Sequence, residues 1–414
     1  MKLKKIVVSM FAAGVMVSPL AHATDGYFSD GYGMKAKGMA GVGIALPQDA
    51  LAAANNPAGM VMVGDRVDLG VDLFKPSRGA DIANAGFVVN GANDGNGKGL
   101  FAIPEFGYNK MLDAKSSLGV SVYGNGGMNT QYNANLFRGT GPAGINLEQL
   151  FIAPTYAFKL NDKHAIGVSL NLVYQTFSAT GLQSFQNPGY TSNTAALTDN
   201  GKDSSTGVGL KVGWTGEVTS TVTLGATYQP KTKMSKFSKY AGLFAEQGGF
   251  DIPANYGVGI AVKATDATTV SADYKVIQYS GVPAIANTLT AGGLLGAANG
   301  MGFGWTDVKV IKLGVSQVLN DAWTVRAGYS HNTQPIPASQ TMFNILAPGV
   351  VQDHLTLGAT WNVSKLNELT VGYMHAFSQT VNGPGAIPVP GFFGGDANIH
   401  MYQDSLGFAY SWKL

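Results

Sequence analysis

Apolar and polar residues alternate with period two in fourteen separate segments of this sequence, the pattern of strands whose two faces meet different surroundings. The segments lie near residues 66–74, 101–111, 117–124, 147–160, 165–177, 207–217, 221–229, 254–264, 269–279, 307–319, 322–331, 353–363, 368–378 and 401–414. In the last of them Leu406, Phe408, Tyr410, Trp412 and Leu414 alternate with Ser405, Gly407, Ala409, Ser411 and Lys413. The twelfth repeats the pattern, with Leu355, Leu357, Ala359, Trp361 and Val363 against Thr356, Gly358, Thr360 and Asn362. One face is greasy and the other small and polar. Alternation alone fits a soluble sandwich as well as a barrel.

The connections separate the two. Short turns at 112–116, 161–164, 218–220, 265–268, 320–321 and 364–367 take turns with long Gly/Ser/Asn/Pro-rich loops of roughly 20 to 28 residues. A barrel with short turns on one side of a membrane and long loops on the other requires this order, and an even strand count returns the chain end to the short-turn side. Composition agrees. Only 13% of residues are charged and 45% are apolar, with 56 glycines, whereas soluble domains carry about 25% charge. No run of 18 or more apolar residues occurs, so the sequence offers no transmembrane helix. The fold class predicted is all-β, a 14-stranded antiparallel transmembrane β-barrel. Tyr108, Tyr156, Tyr228, Tyr279, Trp323, Tyr329, Tyr373 and Trp412, near strand ends, are expected to form the interfacial girdles.

Ahead of the first strand come two further segments. Residues 1–23 read as a signal peptide, with Lys2, Lys4 and Lys5, an apolar core at 6–17 and Ala21-His22-Ala23 before the cut, so the mature chain should begin at Thr24. Without those three lysines the formal charge falls from +2 to −1, which points to no nucleic-acid partner. No cysteine is present, so neither disulfides nor thiolate chemistry are expected. Residues 24–62 hold glycines at 31, 33, 38, 41, 43 and 59 and predict compact irregular packing. One short helix is expected there, with Asp49 as N-cap, Ala50 to Ala54 as formers and Pro57 forbidding continuation past Asn56.

In this segment Ser29, Gly33, Gly41, Ala45, Asp49 and the terminal Asn56-Pro57-Ala58 resemble the plug, or hatch, of the FadL-type outer-membrane transporters of hydrophobic compounds. The resemblance covers the mature chain. Residues 306–337 (TDVKVIKLGVSQVLNDAWTVRAGYSHNTQPIP) resemble the family's strand-turn-strand with Trp, Arg, Gly and a closing Pro-x-Pro. It implies a signal peptide at 1–23, a plug inside the lumen at 24–62, with Asp49, Asn56, Pro57 and Ala58 as gate residues, and a barrel at 63–414. Residues 121–132 (SVYGNGGMNTQY) break the third strand at Gly124-Asn125-Gly126-Gly127. On the residues alone this is a Gly-rich strand end entering a loop. The resemblance implies instead the inward kink that opens the family's barrel wall sideways, facing the plug near Asn56-Pro57-Ala58. One departure bears on the solute: family members that hold a fatty-acid carboxylate place a basic side chain just before the tenth strand, where this chain has Trp305-Thr306-Asp307, and 176–183 lacks Lys and Arg as well.

Chemistry is scarce. The six histidines are scattered without metal spacing, and no GxSxG elbow appears, so no catalytic residue, metal or cofactor is expected. Strand parity places Arg66, Asp68, Asp72, Glu105, Lys211, Lys263, Asp273, Lys275, Lys312 and Arg326 on the inner face, where mixed signs suit an ion-pair network holding strands and plug. A ligand-binding role for Lys312 or Arg326 is the alternative. Loop residues such as Leu243 and Phe244 are candidates for collecting an apolar solute. The resemblance implies a monomeric channel of the bacterial outer membrane that passively carries fatty acids, related lipids or hydrocarbons, with lipid and lipopolysaccharide around it. A lipid exporter, a general porin and an adhesin are the alternatives on this scaffold.

Overall fold

The computed structural model describes residues 25–389 and 391–414; the predicted signal peptide lies outside the described residues. Fourteen barrel strands follow in chain order: Arg66–Ala83, Phe101–Met111, Ser116–Gln131, Gly144–Lys159, His164–Thr180, Asp203–Glu217, Val222–Gln229, Asn255–Lys263, Thr268–Ile277, Val308–Val318, Trp323–Asn332, Asp353–Asn362, Asn367–Val381 and Asp396–Lys413. Each pairs antiparallel with its sequence neighbours. The first and last then pair from Arg66↔Lys413 to Ala83↔Asp396, which closes the sheet and leaves no strand edge facing lipid there. Every predicted segment matches a strand, and the first, third and last run well past the predicted ends, because outside the bilayer hairpin pairing can simply continue. A short extra strand, Gly91–Asp94, pairs with the first within the loop that follows it.

The alternation resolves into an apolar outside and a polar inside. Leu170, Leu210, Val258, Leu313, Leu357 and Leu406 point outward and are exposed, while Ser169, Asn171, Ser271, Thr356 and Ser405 point inward and are buried. Trp323 and Trp361 stack on the outer wall with ring centroids 6.0 Å apart, beside the short turns, a position that suits the amphipathic indole. Tyr279 departs from the expected girdle: it is fully buried in the lumen.

The barrel interior is filled by residues 25–63, nearly all of them buried. Two short helices, Met34–Lys37 and Ala52–Asn55, and a 3-10 helix, Pro57–Met62, are the regular parts. Asp49 does not cap the helix as expected; its Oδ1 accepts the Leu51 N–H at 3.0 Å, a turn ahead of the helix. The cap that does form is at Asn56, whose side chain accepts the Ala58 N–H at 3.1 Å while Pro57 opens the 3-10 helix, a position where proline's missing N–H costs nothing. The wall accommodates this filling with inward glycines on successive strands. A Cβ at Gly213 would overlap Asn56 Oδ1, and one at Gly328 would overlap the Met39 backbone.

Charge pairing fixes the filling in place. Lys35 meets Glu368 at 2.5 Å, Lys37 meets Asp72 at 2.7 Å, and Lys312 meets Asp30 at 2.9 Å and Asp25 at 3.3 Å. Asp273 accepts the Gly43 and Ile44 N–H groups at 2.8 and 3.0 Å, and Asp68 accepts that of Ala50 at 2.8 Å. Lys263, though of inward parity, is exposed at the strand end. Glu368 is the most shared group, taking Lys35, Arg66 and Lys413. Glu368→Gln leaves the buried Lys35 ammonium without its carboxylate, a loss of roughly 3–5 kcal/mol for a pair broken on one side. The expected result is a lower temperature for the heat-induced gel shift of the purified barrel; an unchanged shift would remove Glu368 from the set of anchors.

Candidate functional site

Strand pairing in the wall is incomplete at one place. The second strand pairs with the first from Phe101 to Asn109, yet with the third only from Phe106↔Val122 to Met111↔Ser117. Past Val122 the third strand stays with the fourth as far as Gln131↔Gly144, and its register slips between Gly124 and Gly126. A slip of this kind sets two residues against one and turns the strand. The backbone so released is bonded by residues 27–29. Ser29 N–H donates to Asn125 O at 2.9 Å, and Gly127 N–H donates to Tyr27 O at 3.0 Å. Gly126 lets the two chains meet, since a Cβ there would overlap Tyr27 O. None of residues 124–127 has a positive φ, so close approach, rather than left-handed backbone, is what requires glycine at 126.

Above this point the third strand is held by the first loop and by Arg78. Gly97 N–H donates to Gln131 O at 2.9 Å and Gln131 N–H to Gly95 O at 3.0 Å. Arg78, 1% exposed, donates from Nε to Asn129 O at 2.7 Å and from its terminal nitrogens to Pro76 O at 3.0 Å and Lys98 O at 2.8 Å. Its guanidinium lies 5.8 Å from the Phe101 ring centre, a cation–π contact. One side chain thus ties the first three strands where their ladder has parted.

Behind residues 27–29 stands an aromatic wall. Tyr27 packs at ring distances of 5.2 Å on Phe28, 5.2 Å on Tyr279, 6.0 Å on Phe250 and 6.2 Å on Trp305. The Tyr279 hydroxyl accepts the Tyr27 and Phe28 N–H groups at 3.1 and 3.3 Å and donates to Asp25 O at 2.6 Å. Two apolar spaces adjoin. One is a narrow crevice lined by Phe74, Gly127, Met128, Trp305, Pro348 and Met401. The other, an outer cleft, is lined by Phe177, Phe185, Leu243, Phe244, Leu295 and Phe343 among others. Neither is lined by Lys or Arg.

A model of the family described as "Outer membrane protein transport protein (OMPP1/FadL/TodX)" matches residues 15–384. The chain belongs to this family. It is therefore an outer-membrane protein. Among curated relatives, the long-chain fatty acid transport protein of Escherichia coli (strain K12) is 24% identical over 328 residues, 68% of this chain and 72% of that one. Among solved structures, a Pseudomonas aeruginosa FadL homologue superposes with a TM-score of 0.71 at 16% identity, covering 94% of this chain and 99% of the other. The P. putida toluene transporter TodX gives 0.68 at 17%, covering 93% and 99%, and the Ralstonia pickettii toluene transporter TbuX gives 0.64 at 20%, covering 92% and 98%. These likenesses establish the shared fold.

Within the family fold, the residues singled out from the sequence do not gather at one place. Gly124, Asn125, Gly126 and Gly127 sit at the register slip, with Asn125 bonded to Tyr32 of the lumen segment (3.1 Å) and to Gln149 (3.1 Å). Asn56, Pro57 and Ala58 do not face that slip. They lie against the fifth and sixth strands at Gly167 and Gly213, with Asn56 Nδ2 donating to Ile44 O at 2.7 Å and Trp214 O at 2.9 Å; residues 27–29 take the place expected for them. Leu243 and Phe244 line the outer cleft. Lys312 is committed to Asp25 and Asp30, and Arg326 donates to Gln48 Oε1 at 3.0 Å and Thr360 Oγ1 at 2.7 Å, so both act within the lumen network. The sequence reading passed over Tyr27, Phe28, Arg78 and Tyr279. Adjacent aromatics in an otherwise small-residue segment were the available signal for the first pair; Arg78 was hidden inside a predicted loop.

Asp49 sits elsewhere in the lumen segment, and burial, with Asp68 close by, pushes its carboxyl up to about 6. The protonated form is thus favoured in the docked segment, and the stability so gained is full at acid pH and lost as pH rises through about 6. Protection of residues 25–63 against hydrogen exchange, corrected for the intrinsic pH dependence of the rate, should fall between about pH 4 and 6, and Asp49→Asn should remove that step. Separately, Tyr279→Phe removes the hydroxyl to which the Tyr27 and Phe28 N–H groups donate, so exchange at residues 27–28 should rise by roughly 5- to 150-fold, the effect of about 1–3 kcal/mol. Exchange unchanged from the parent would mean that the hydroxyl does not hold this segment.

Proposed function

We propose that the protein passively carries hydrophobic small molecules across the outer membrane, as a monomer and without catalysis, and releases them sideways between the second and third strands. The observation that carries this reading is the ladder that ends at Phe106 and Val122, with the backbone released at 125–127 bonded by residues 27–29 of the lumen segment rather than by a wall strand. An apolar solute that has left water gains nothing by crossing a polar lower exit, whereas a sideways step into the bilayer keeps it in apolar surroundings. Residues 27–29 are the gate in this scheme. The outer cleft with Leu243 and Phe244 collects the solute, and the space beside Gly127, Met128 and Trp305 passes it on. Asp49 and Asn56-Pro57-Ala58 anchor the far end of the plug, so that the gate can move while the rest stays docked.

The absence of cations from both linings favours neutral solutes such as alkanes or monoaromatics over free carboxylates. The toluene transporters share the fold and the fatty-acid transporter is a sequence relative, and linings without Lys or Arg support the neutral class of solute. In a strain lacking the gene and complemented with it, uptake of labelled toluene or decane should be restored, with oleate a weak competitor. Gly126→Val/Gly127→Val should assemble normally and abolish that uptake, because the side chain at 126 occupies the place of Tyr27 O. Normal uptake through a correctly assembled double variant would exclude the sideways route, and uptake of oleate alone would exclude the neutral solute.

A further inference from the structure

The outer wall carries a second ordered feature, unrelated to the lumen. On six adjacent strands, from the tenth through the fourteenth to the first, the first ionisable residue met at an outward position, going up from the apolar band, is Lys309, His331, Asp353, His375, Asp404 and Lys75 in turn. Lys75 pairs in register with Asp404 and Asp404 with His375. Asp353 and His331 pair with each other one two-residue step higher, because His375 faces Leu355. Lys309 is one such step above Ile311, the partner of His331. The registers stagger by about one residue per strand around this barrel, as tilted strands must, so a row climbing four residues over five strand steps keeps to one depth. The six residues form a level belt at the outer edge of the apolar band. Outward positions at that height on the fifth, seventh, eighth and ninth strands include Tyr174, Tyr228, Tyr256 and Tyr274, those of the sixth are Thr206 and Val208, and none of the five strands has Lys, His, Asp or Glu there.

Within the belt a unit occurs twice. His331 Nδ1 lies 2.8 Å from Asp353 Oδ1, which also accepts the Tyr329 hydroxyl. His375 Nδ1 lies 2.9 Å from Asp404 Oδ1, which also accepts the Tyr373 hydroxyl at 2.7 Å. The carboxylate fixes each ring by one nitrogen and leaves Nε2 without a bond among the described residues, at the lipid-facing surface. In the imidazolium form that nitrogen is a charged N–H donor. With neutral rings the belt's two lysines balance its two aspartates; with both rings protonated it carries a net +2. We propose that this belt seats the phosphate groups of outer-leaflet glycolipid headgroups, and holds them through the two Nε2–H groups and the flanking Lys75 and Lys309. Charge-assisted bonds to phosphate oxygens at this depth would anchor one side of the barrel to that leaflet.

The test uses the full-length protein in phosphatidylcholine nanodiscs, with bis-phosphorylated lipid A as probe at about pH 5.5 and about pH 8, either side of the ordinary imidazole range. Groups facing the two rings are Asp353, Tyr329 and, one step up, Lys309 for His331, and Asp404, Tyr373 and, beyond Asp404, Lys75 for His375. Binding should be at least about fivefold tighter at the lower pH. His331→Gln/His375→Gln should bring it to the higher-pH value, and Lys75→Gln/Lys309→Gln should weaken it at both. Lys110→Gln/Lys163→Gln, at the opposite rim, should change nothing, and the heat-induced gel shift confirms that each variant is assembled. Equal binding of dephosphorylated lipid A, or a pH dependence that survives the double histidine change, would overturn the proposal.

Discussion

A backbone amide inside hydrocarbon has no water to turn to, and each unbonded group there costs several kcal/mol. Nearly everything in this molecule follows from how that constraint is met. The wall meets it by closing on itself through the pairing of its first and last strands. It departs from closure between the second and third strands, and at that place a piece of chain from the lumen supplies the bonds. The seal is therefore made of hydrogen bonds between two parts that are not otherwise one element. A seal of that kind can open at the cost of a few such bonds, whereas parting two fully paired strands would require breaking an entire ladder.

The lumen segment is held by a different means. Ion pairs and carboxylate-to-amide bonds to several strands locate it, and glycines in the wall let it approach. These charges consume the inward cations that would otherwise be available to an anionic solute. Lys312 illustrates the point: it sits on the strand where a carboxylate receptor would be convenient, and two aspartates of the lumen segment occupy it. The same residues that fix the lumen segment thus leave Lys312 no free charge for a solute.

Much of this was legible in the sequence, and the exceptions have physical reasons. Period-two alternation located every barrel strand because the two faces of a membrane wall differ so sharply, as in 401–414. The register slip between Gly124 and Gly126 falls where the residues alone read as a strand end and only the resemblance implied a kink, and its partner was not legible, because Asn56-Pro57-Ala58 is a cap for a local 3-10 helix and its side chains reach the sixth strand. Nothing local at Tyr27 or Phe28 indicates a pairing with residue 126. Tyr279 was taken for a girdle residue because it ends a strand, and only the three-dimensional arrangement turns its hydroxyl toward residues 25–28. Arg78 lies where the first strand runs on beyond the bilayer, a continuation that polar outer loops conceal.

Lys35 reaches Glu368 across 333 residues of sequence, and Asp72 reaches Ser405 across the same separation. Contacts so remote form late, because the intervening chain must first be ordered. The lumen segment precedes every barrel strand in the chain and so is made before them, yet its docking surfaces exist only once the last strand has met the first. Its order of synthesis and its order of assembly are thus reversed. Until the barrel closes, Tyr27, Phe28, Tyr32 and Leu51 lack the lumen surroundings that bury them in the finished fold.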